Sequence, residues 1–255
     1  MNSLIFHIPH ASTVIPEAVQ ASFALPPESL VRELLLMTDH DTDVLFGAAA
    51  LPSDAVVQAQ VSRLVVDVER FVDDAQEEMA AVGMGVIYTS RHDGLLLRPV
   101  PDDVTRQRLL QQYYWPHHRA LSAAVAADLA RHGAAWVLDC HSFPRQPLPY
   151  EFDQSFERPD FCIGTNDFHT PDVLVVQIEA LLASRGHSVQ RNAPFAGCLL
   201  PAEYYQRDVR VHGLMLEVNR GLYMDEGSGA QLPKTFPRIQ ALLAEVVALV
   251  RGFAQ

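Results

Sequence analysis

Apolar residues along this chain follow two patterns: short continuous or every-second runs, and longer stretches in which they recur every three or four positions. The short runs predict strands at residues 3–8, 55–59, 62–68, 85–89, 134–140, 160–164, 187–191 and 213–218. The longer pattern predicts helices at 41–51, 103–132, 171–185 and 234–253. Pro101-Asp102-Asp103 supplies a cap and acidic first turn for the second helix, and Gly133 suits its left-handed terminus. In the last helix Ile239, Leu242, Leu243, Val246, Val247 and Val250 form one apolar stripe, which reads as core packing. Strands alternating with helices, without repeats or low-complexity linkers, predict an α/β fold in a single domain over residues 1–255.

Two stretches break the pattern. From Ser142 to Pro159 the prolines 144, 147, 149 and 159 interrupt any regular element, so the segment is expected to wall or cover whatever lies at His141. The run Asn192-Ala193-Pro194-Phe195-Ala196-Gly197-Cys198 follows a predicted strand and is a second candidate for lining a pocket.

Three predicted strands end on chemistry. Leu4 to Ile8 delivers Pro9-His10, Val137 to Cys140 stops at His141, and Gly213 to Leu216 delivers Glu217. Open sheets place ligands at the carboxyl ends of their strands. Two imidazoles and a carboxylate arriving there are candidates for a metal site with a general base, since a catalytic zinc keeps three protein ligands and one open position. The third ligand is expected from Thr38-Asp39-His40-Asp41-Thr42-Asp43, where Asp39 and Asp43 share a face if that turn is helical. The alternative for the aspartates is helix capping. For His10 it is a turn histidine bonded to backbone, and for His141 a buried histidine satisfied by Asp139 or Ser142. His7 reads as core, His40 as a solvated loop residue, and at most one of His117 and His118 can face the site.

Composition narrows the partners. The 255 residues carry 19 basic and 31 acidic side chains, a formal charge of −12, with Lys234 the single lysine. Such a surface repels nucleic acid and anionic membranes. An anionic substrate then needs arginines gathered at the site, and Arg63, Arg70, Arg98 and Arg220 are the candidates. Pairing with Asp67 is the alternative for Arg63. No apolar run reaches the roughly 18 residues of a membrane span. Met1-Asn2-Ser3 lacks the basic start of a signal peptide, so the protein is expected in the cytoplasm. Cys140, Cys162 and Cys198 are too few and scattered for a disulfide framework.

In order along the chain, Pro9-His10-Ala11-Ser12, Thr38 to Asp43, Ser62 to Arg70, Pro116-His117-His118, Asp139 to Phe143, Asn192 to Gly197 and Glu217-Val218-Asn219-Arg220 resemble the N-formylglutamate amidohydrolase family. The resemblance spans nearly the whole chain. It implies a three-layer fold like that of zinc exopeptidases and aspartoacylases, a central mixed sheet with helices on both faces. It further implies one Zn²⁺ held by His10, His141 and either Asp39 or Asp43, with Glu217 as general base. Arg63, Arg70, Arg220 and Asn192 become the residues expected to bind a small anionic N-acyl amino acid. The implied reaction hydrolyses N-formyl-L-glutamate to formate and L-glutamate in histidine degradation. Glu69 stands where the family more often shows asparagine, Cys198 where a second glycine is usual, and Ala11-Ser12 where serine-glycine is expected. These departures spare the metal positions and bear on the choice of substrate. The rival expectations are a zinc amidase for another N-acyl amino acid and a metal-free binding protein on the same fold. A serine hydrolase is disfavoured because no GxSxG elbow is present.

Overall fold

The computed structural model describes residues 3–254. In chain order its elements are β1 (Ile5–Ile8), α1 (Glu17–Gln20), α2 (Pro27–Met37), α3 (Thr42–Gly47), β2 (Ala55–Gln58), α4 (Asp103–Leu109), α5 (Trp115–His132), β3 (Ala135–Phe143), β4 (Phe161–Gly164), α6 (Asp172–Ser184), β5 (Val189–Arg191), β6 (Val211–Asn219) and α7 (Phe236–Phe253). The strands form one sheet in the order β2-β1-β3-β6-β4-β5. β2, β1, β3 and β6 are parallel, and β4 pairs antiparallel with β6, so the sheet is mixed.

Alternation along the strands sorts side chains between two cores. Leu4, Phe6 and Ile8 of the first strand region, Leu138 and Cys140 of β3, and Leu214, Leu216 and Val218 of β6 pack against α3, α6 and α7. Ile5, Val137 and Val211 face the other way and meet Leu121 and Val125 of α5. Helices therefore cover both faces, the three-layer architecture expected. No helix among the described residues is long and apolar enough to cross a membrane.

The helix expected over 103–132 is present with a fault in it. Asp102 caps it by accepting from Thr105 N, and Gly133 ends it at φ 77°. Between α4 and α5, Leu110–Tyr114 forms a π turn that ends two residues before Pro116, which has no N–H to continue the ordinary ladder.

Several expectations fail. No strand forms at 62–68 or 85–89. The first of these runs bends at once, with Val65 N donating to Ser62 O and Leu64 N to Ser62 Oγ, and buries Leu64, Val65 and Val66 in a separate apolar cluster with Val86 and Tyr88. Its β-branched apolar content reflects burial, not pleating. The helix α2 escapes the periodicity because the wrong residues face inward: Val31 is 66% exposed, while Glu33 is 2% exposed and receives the His92 backbone N–H. α3 ends at Gly47, short of residue 51. β3 does not stop at His141 but continues through Phe143.

Candidate active site

The alternation that points Ile5 and Val137 toward α5 also points His7, Asp139 and His141 that way. Glu217 is the register partner of His141 on β6, so the two side chains leave the same face side by side. His10 lies two residues past the end of β1. Asp39 lies just past the extended Thr38 that ends α2, and its backbone N–H donates to His10 O at 3.0 Å.

The side chains of His10, Asp39 and His141 bring ligand atoms within 4.8 Å of one another, all buried. Asp39 Oδ2 is 3.1 Å from His141 Nδ1 and 3.7 Å from His10 Nδ1. The far edge of each ring is held by a carboxylate: His10 Nε2 meets Asp67 Oδ1 at 2.8 Å, and His141 Nε2 meets Asp139 Oδ1 at 3.0 Å. A carboxylate at Nε2 keeps the proton there and turns the Nδ1 lone pair outward, the usual support of a metal-binding histidine. His10 Nδ1 is buried without any hydrogen-bond partner. An orphaned acceptor between an imidazole and a carboxylate fits a divalent cation, and this donor set suits zinc.

Charge is arranged to keep Asp39 and Asp67 ionised. Burial pushes Asp39 up, but the His10 and His141 imidazoles and the Arg220 charge outweigh it and hold the carboxyl well below the usual range. Burial likewise raises Asp67, and Arg63 with His10 overrides it downward. His141 goes the other way: burial disfavours its charged form, yet Glu69 and Asp139 raise it well above an ordinary histidine, so a proton occupies it when no cation does. Glu217 is 6% exposed, its Oε2 has no hydrogen-bond partner, and burial is the chief reason its pKa rises to about 8.

Behind His141 lies a chain of partners. Asp139 Oδ1 also takes His7 Nδ1 at 2.7 Å, and its Oδ2 accepts from Leu199 N at 2.8 Å. His7 Nε2 faces His117 Nε2 at 2.8 Å. Burial, helped by His7, drives His117 down to about 2, so it is neutral and donates to His7, which donates to Asp139. His118, one residue on, turns away and donates to Val68 O at 2.8 Å.

A cavity of about 610 Å³ opens over the cluster, bounded by His10, Asp39, His141, Glu217, Arg63, Arg70 and Glu69 among others. Both irregular segments wall it, through Phe143, Pro144 and Tyr150 to Asp153 on one side and Pro194, Phe195 and Ala196 on the other.

The arginines differ in what they have left to give. Arg63 donates through Nε and Nη2 to Asp67 Oδ2 at 3.3 and 2.9 Å, the internal pairing weighed from sequence, and also to Tyr88 Oη. Arg220 spends itself on Ser142 Oγ, Leu36 O and Asp39 Oδ1, the last at 2.8 Å. Arg70 makes only long ion pairs, its Nε 3.5 Å from Asp67 Oδ2 and its Nη1 3.9 Å from Glu77 Oε1, and the Nε has no hydrogen-bond partner. Two expected residues stand apart. Asp43 accepts from Val44 N and from Gln58 Nε2, because α3 starts only after Asp41, at φ 60°, so residues 39 and 43 share no helical face. Asn192, also at positive φ, organises its own loop by accepting from Thr165 N and Gly197 N. Asp139 is a partner the sequence offered for His141, and Asp67 the one it offered for Arg63; the contact of Asp67 with His10, and of His7 and His117 behind Asp139, sequence reasoning missed. The available signal was parity, since Asp139 precedes His141 by one side-chain alternation.

Imidazoles and carboxylates converging at the carboxyl edge of a mixed sheet define a hydrolase of the α/β class. Residues 2–224 match the N-formylglutamate amidohydrolase family, and the chain belongs to that family. It is 32% identical over 233 residues to N-formylglutamate deformylase of Pseudomonas aeruginosa, covering 88% of this chain and 82% of that protein. It is 28% identical over 230 residues to N-formylglutamate deformylase of Pseudomonas putida, with the same coverage of 88% and 82%. The crystal structure of N-formylglutamate amidohydrolase from Ralstonia eutropha JMP134 is similar at a TM-score of 0.81 and 27% identity, over 98% of this chain and 93% of that one. A gene product of Agrobacterium tumefaciens shares the fold at a TM-score of 0.68 and 17% identity, over 98% and 92% of the two chains.

Proposed function

We propose that this protein is a zinc-dependent amidase that hydrolyses N-formyl-L-glutamate to formate and L-glutamate, acting in the last step of a histidine-degradation route. One observation carries the reading: two buried atoms with no hydrogen-bond partner, His10 Nδ1 and Glu217 Oε2, belong to residues that bound the same cavity. His10, Asp39 and His141 would hold the ion. When bound it supplies concentrated positive charge, which acidifies water and polarises a carbonyl oxygen.

The chain's own groups do the rest. Glu217 Oε2 takes a proton from the attacking water and returns it to the departing glutamate nitrogen, a poor leaving group without that proton. The elevated pKa of Glu217 belongs to the protein without a cation, and a nearby positive charge favours the ionised form that a base requires. Arg70, held only by long ion pairs to Asp67 and Glu77, binds one substrate carboxylate, and Arg63 Nη1, 3.9 Å from Asp39 Oδ1, binds the other. Arg220 acts on Asp39 rather than on substrate. The cavity lies within the range of about 300–1,000 Å³ typical of small-molecule sites.

Glu69 favours a second reading, an amidase for a different N-acyl amino acid. Its carboxylate bounds the cavity beside Arg70 and lies 3.2 Å from His141 Nε2, which adds negative charge where an anionic substrate docks. Formate release from N-formyl-L-glutamate by zinc-replete protein, set beside N-acetylglutamate and N-formylaspartate, decides between them. Turnover abolished by chelation and restored by zinc supports the proposal. Inactivity on the first compound with turnover of another selects the second reading, and chelator-resistant turnover removes the metal from the account.

A further inference from the structure

Of the arginines singled out in the sequence, Arg98 is absent from the active-site cavity. It is 2% exposed, and no acidic side chain pairs with it among the described residues. Its Nη2 donates to Leu64 O, its guanidinium carbon lies 4.2 Å from the centre of the Phe23 ring, and its Nε is buried with no partner. A cation removed from water with only a carbonyl and a ring face for company is costly, and folded proteins normally supply a counter-charge. Desolvation alone lowers its pKa to about 10.

Arg98 also bounds a second cavity of about 420 Å³, together with Val19, Phe23, Val100, Thr105 and Arg108. Two acids stand at that end of α4: Asp102 is engaged in capping through Thr105 N at 2.8 Å, and neither it nor Asp103 lines the cavity. We propose that this cavity is a second binding site, for a small organic carboxylate whose charged group meets Arg98 and whose apolar body lies against Val19, Phe23 and Val100. Each half of that ligand answers a feature of the site. The guanidinium fork matches a carboxylate and lacks its counter-ion. The aliphatic and aromatic walls would remain wet around a bare inorganic anion, and an uncharged ligand would leave Arg98 as it is. The site is independent of the metal centre, although Leu64, which Arg98 holds, adjoins the Arg63 that pairs with Asp67.

The test follows backbone amide shifts of the full-length protein during titration with benzoate, with acetate and benzyl alcohol as probes lacking the apolar body and the charge. Benzoate is expected to shift Phe23, Leu97 and Thr105 saturably and at least tenfold more tightly than either control. Arg98→Met is expected to weaken it at least tenfold. Ala18→Trp, which fills the rim at an exposed position and leaves Arg98 in place, is expected to do the same, so the proposal stays exposed to refutation if the first variant fails to fold. No saturable benzoate binding, shifts confined to Ser142 and Ala196 of the other cavity, or unchanged affinity in either folded variant overturns it.

Discussion

Two neighbouring triads in this molecule have nearly the same composition and different prospects. His10, Asp39 and His141 form one, and His7, Glu69 and Asp139 the other; each gathers its ligand atoms within 4.8 Å. In the second, His7 donates a hydrogen bond to Asp139 and accepts one from His117, and none of its buried polar atoms is left without a partner. In the first, His10 Nδ1 has none. A cluster of chelating side chains becomes a cation site when its lone pairs are surplus to the protein's own hydrogen bonds, so donor counting separates a metal seat from a brace behind one.

The comparison can be broken most severely at His141. His141→Ala removes a ligand, and zinc content measured by plasma mass spectrometry is expected to fall from about one ion per chain to a trace, with activity lost in step. Glu217→Gln is expected to keep the zinc and lose about 10²–10⁴-fold in kcat, since it deletes proton transfer and leaves the donors untouched; a variant as active as wild type eliminates the proposed base. Asp139→Asn or His7→Phe acts only through His141. Either should weaken zinc binding about 10–100-fold while the stoichiometry at saturation stays at one. A wild-type stoichiometry of two that drops to one in these variants would make the second triad a metal site after all. Arg70→Ala is expected to raise KM by about tenfold or more with a smaller change in kcat, the signature of lost carboxylate binding.

The smallest effect is on stability. His141 and Glu217 both titrate higher in the folded metal-free protein than in the unfolded chain, so each favours the fold at low pH and loses that contribution as pH rises, Glu217 between about 4.5 and about 8. Asp39, Asp67 and Asp139 titrate lower than in the unfolded chain and lose theirs as pH falls below the usual carboxylate range. The chelated protein should therefore melt highest in mildly acidic solution and decline toward pH 8, where zinc restores it. Melting curves with and without chelator across that range check the sign, and Glu217→Gln should flatten the alkaline decline.

How much of this was legible in the chain depended on whether the informative contact was local. The carboxyl-end regions of β1, β3 and β6 were: alternation puts His141 and Glu217 on one face two residues before their strands end, and His10 lies two residues past β1. Asp39 against Asp43 was not, because the decision rests on the left-handed Asp41 that separates them. The apolar run at 62–68 was misread because its burial is set by a remote cluster, while its turn depends on Ser62. His7 looked like core and is core, yet its function lies in what it touches 132 positions away, at Asp139.

Arg220 has a consequence beyond holding Asp39. Its guanidinium links the end of α2 through Leu36 O, the tip of β3 through Ser142, and the carboxylate itself. A permanent cation thus balances Asp39 whether or not a metal is bound, and three separate elements are moored to one another before any ion arrives. On the proposed metal reading, the seat would stay open without an ion, and binding one would require displacing protons from His141 and its neighbour and no rebuilding of the backbone.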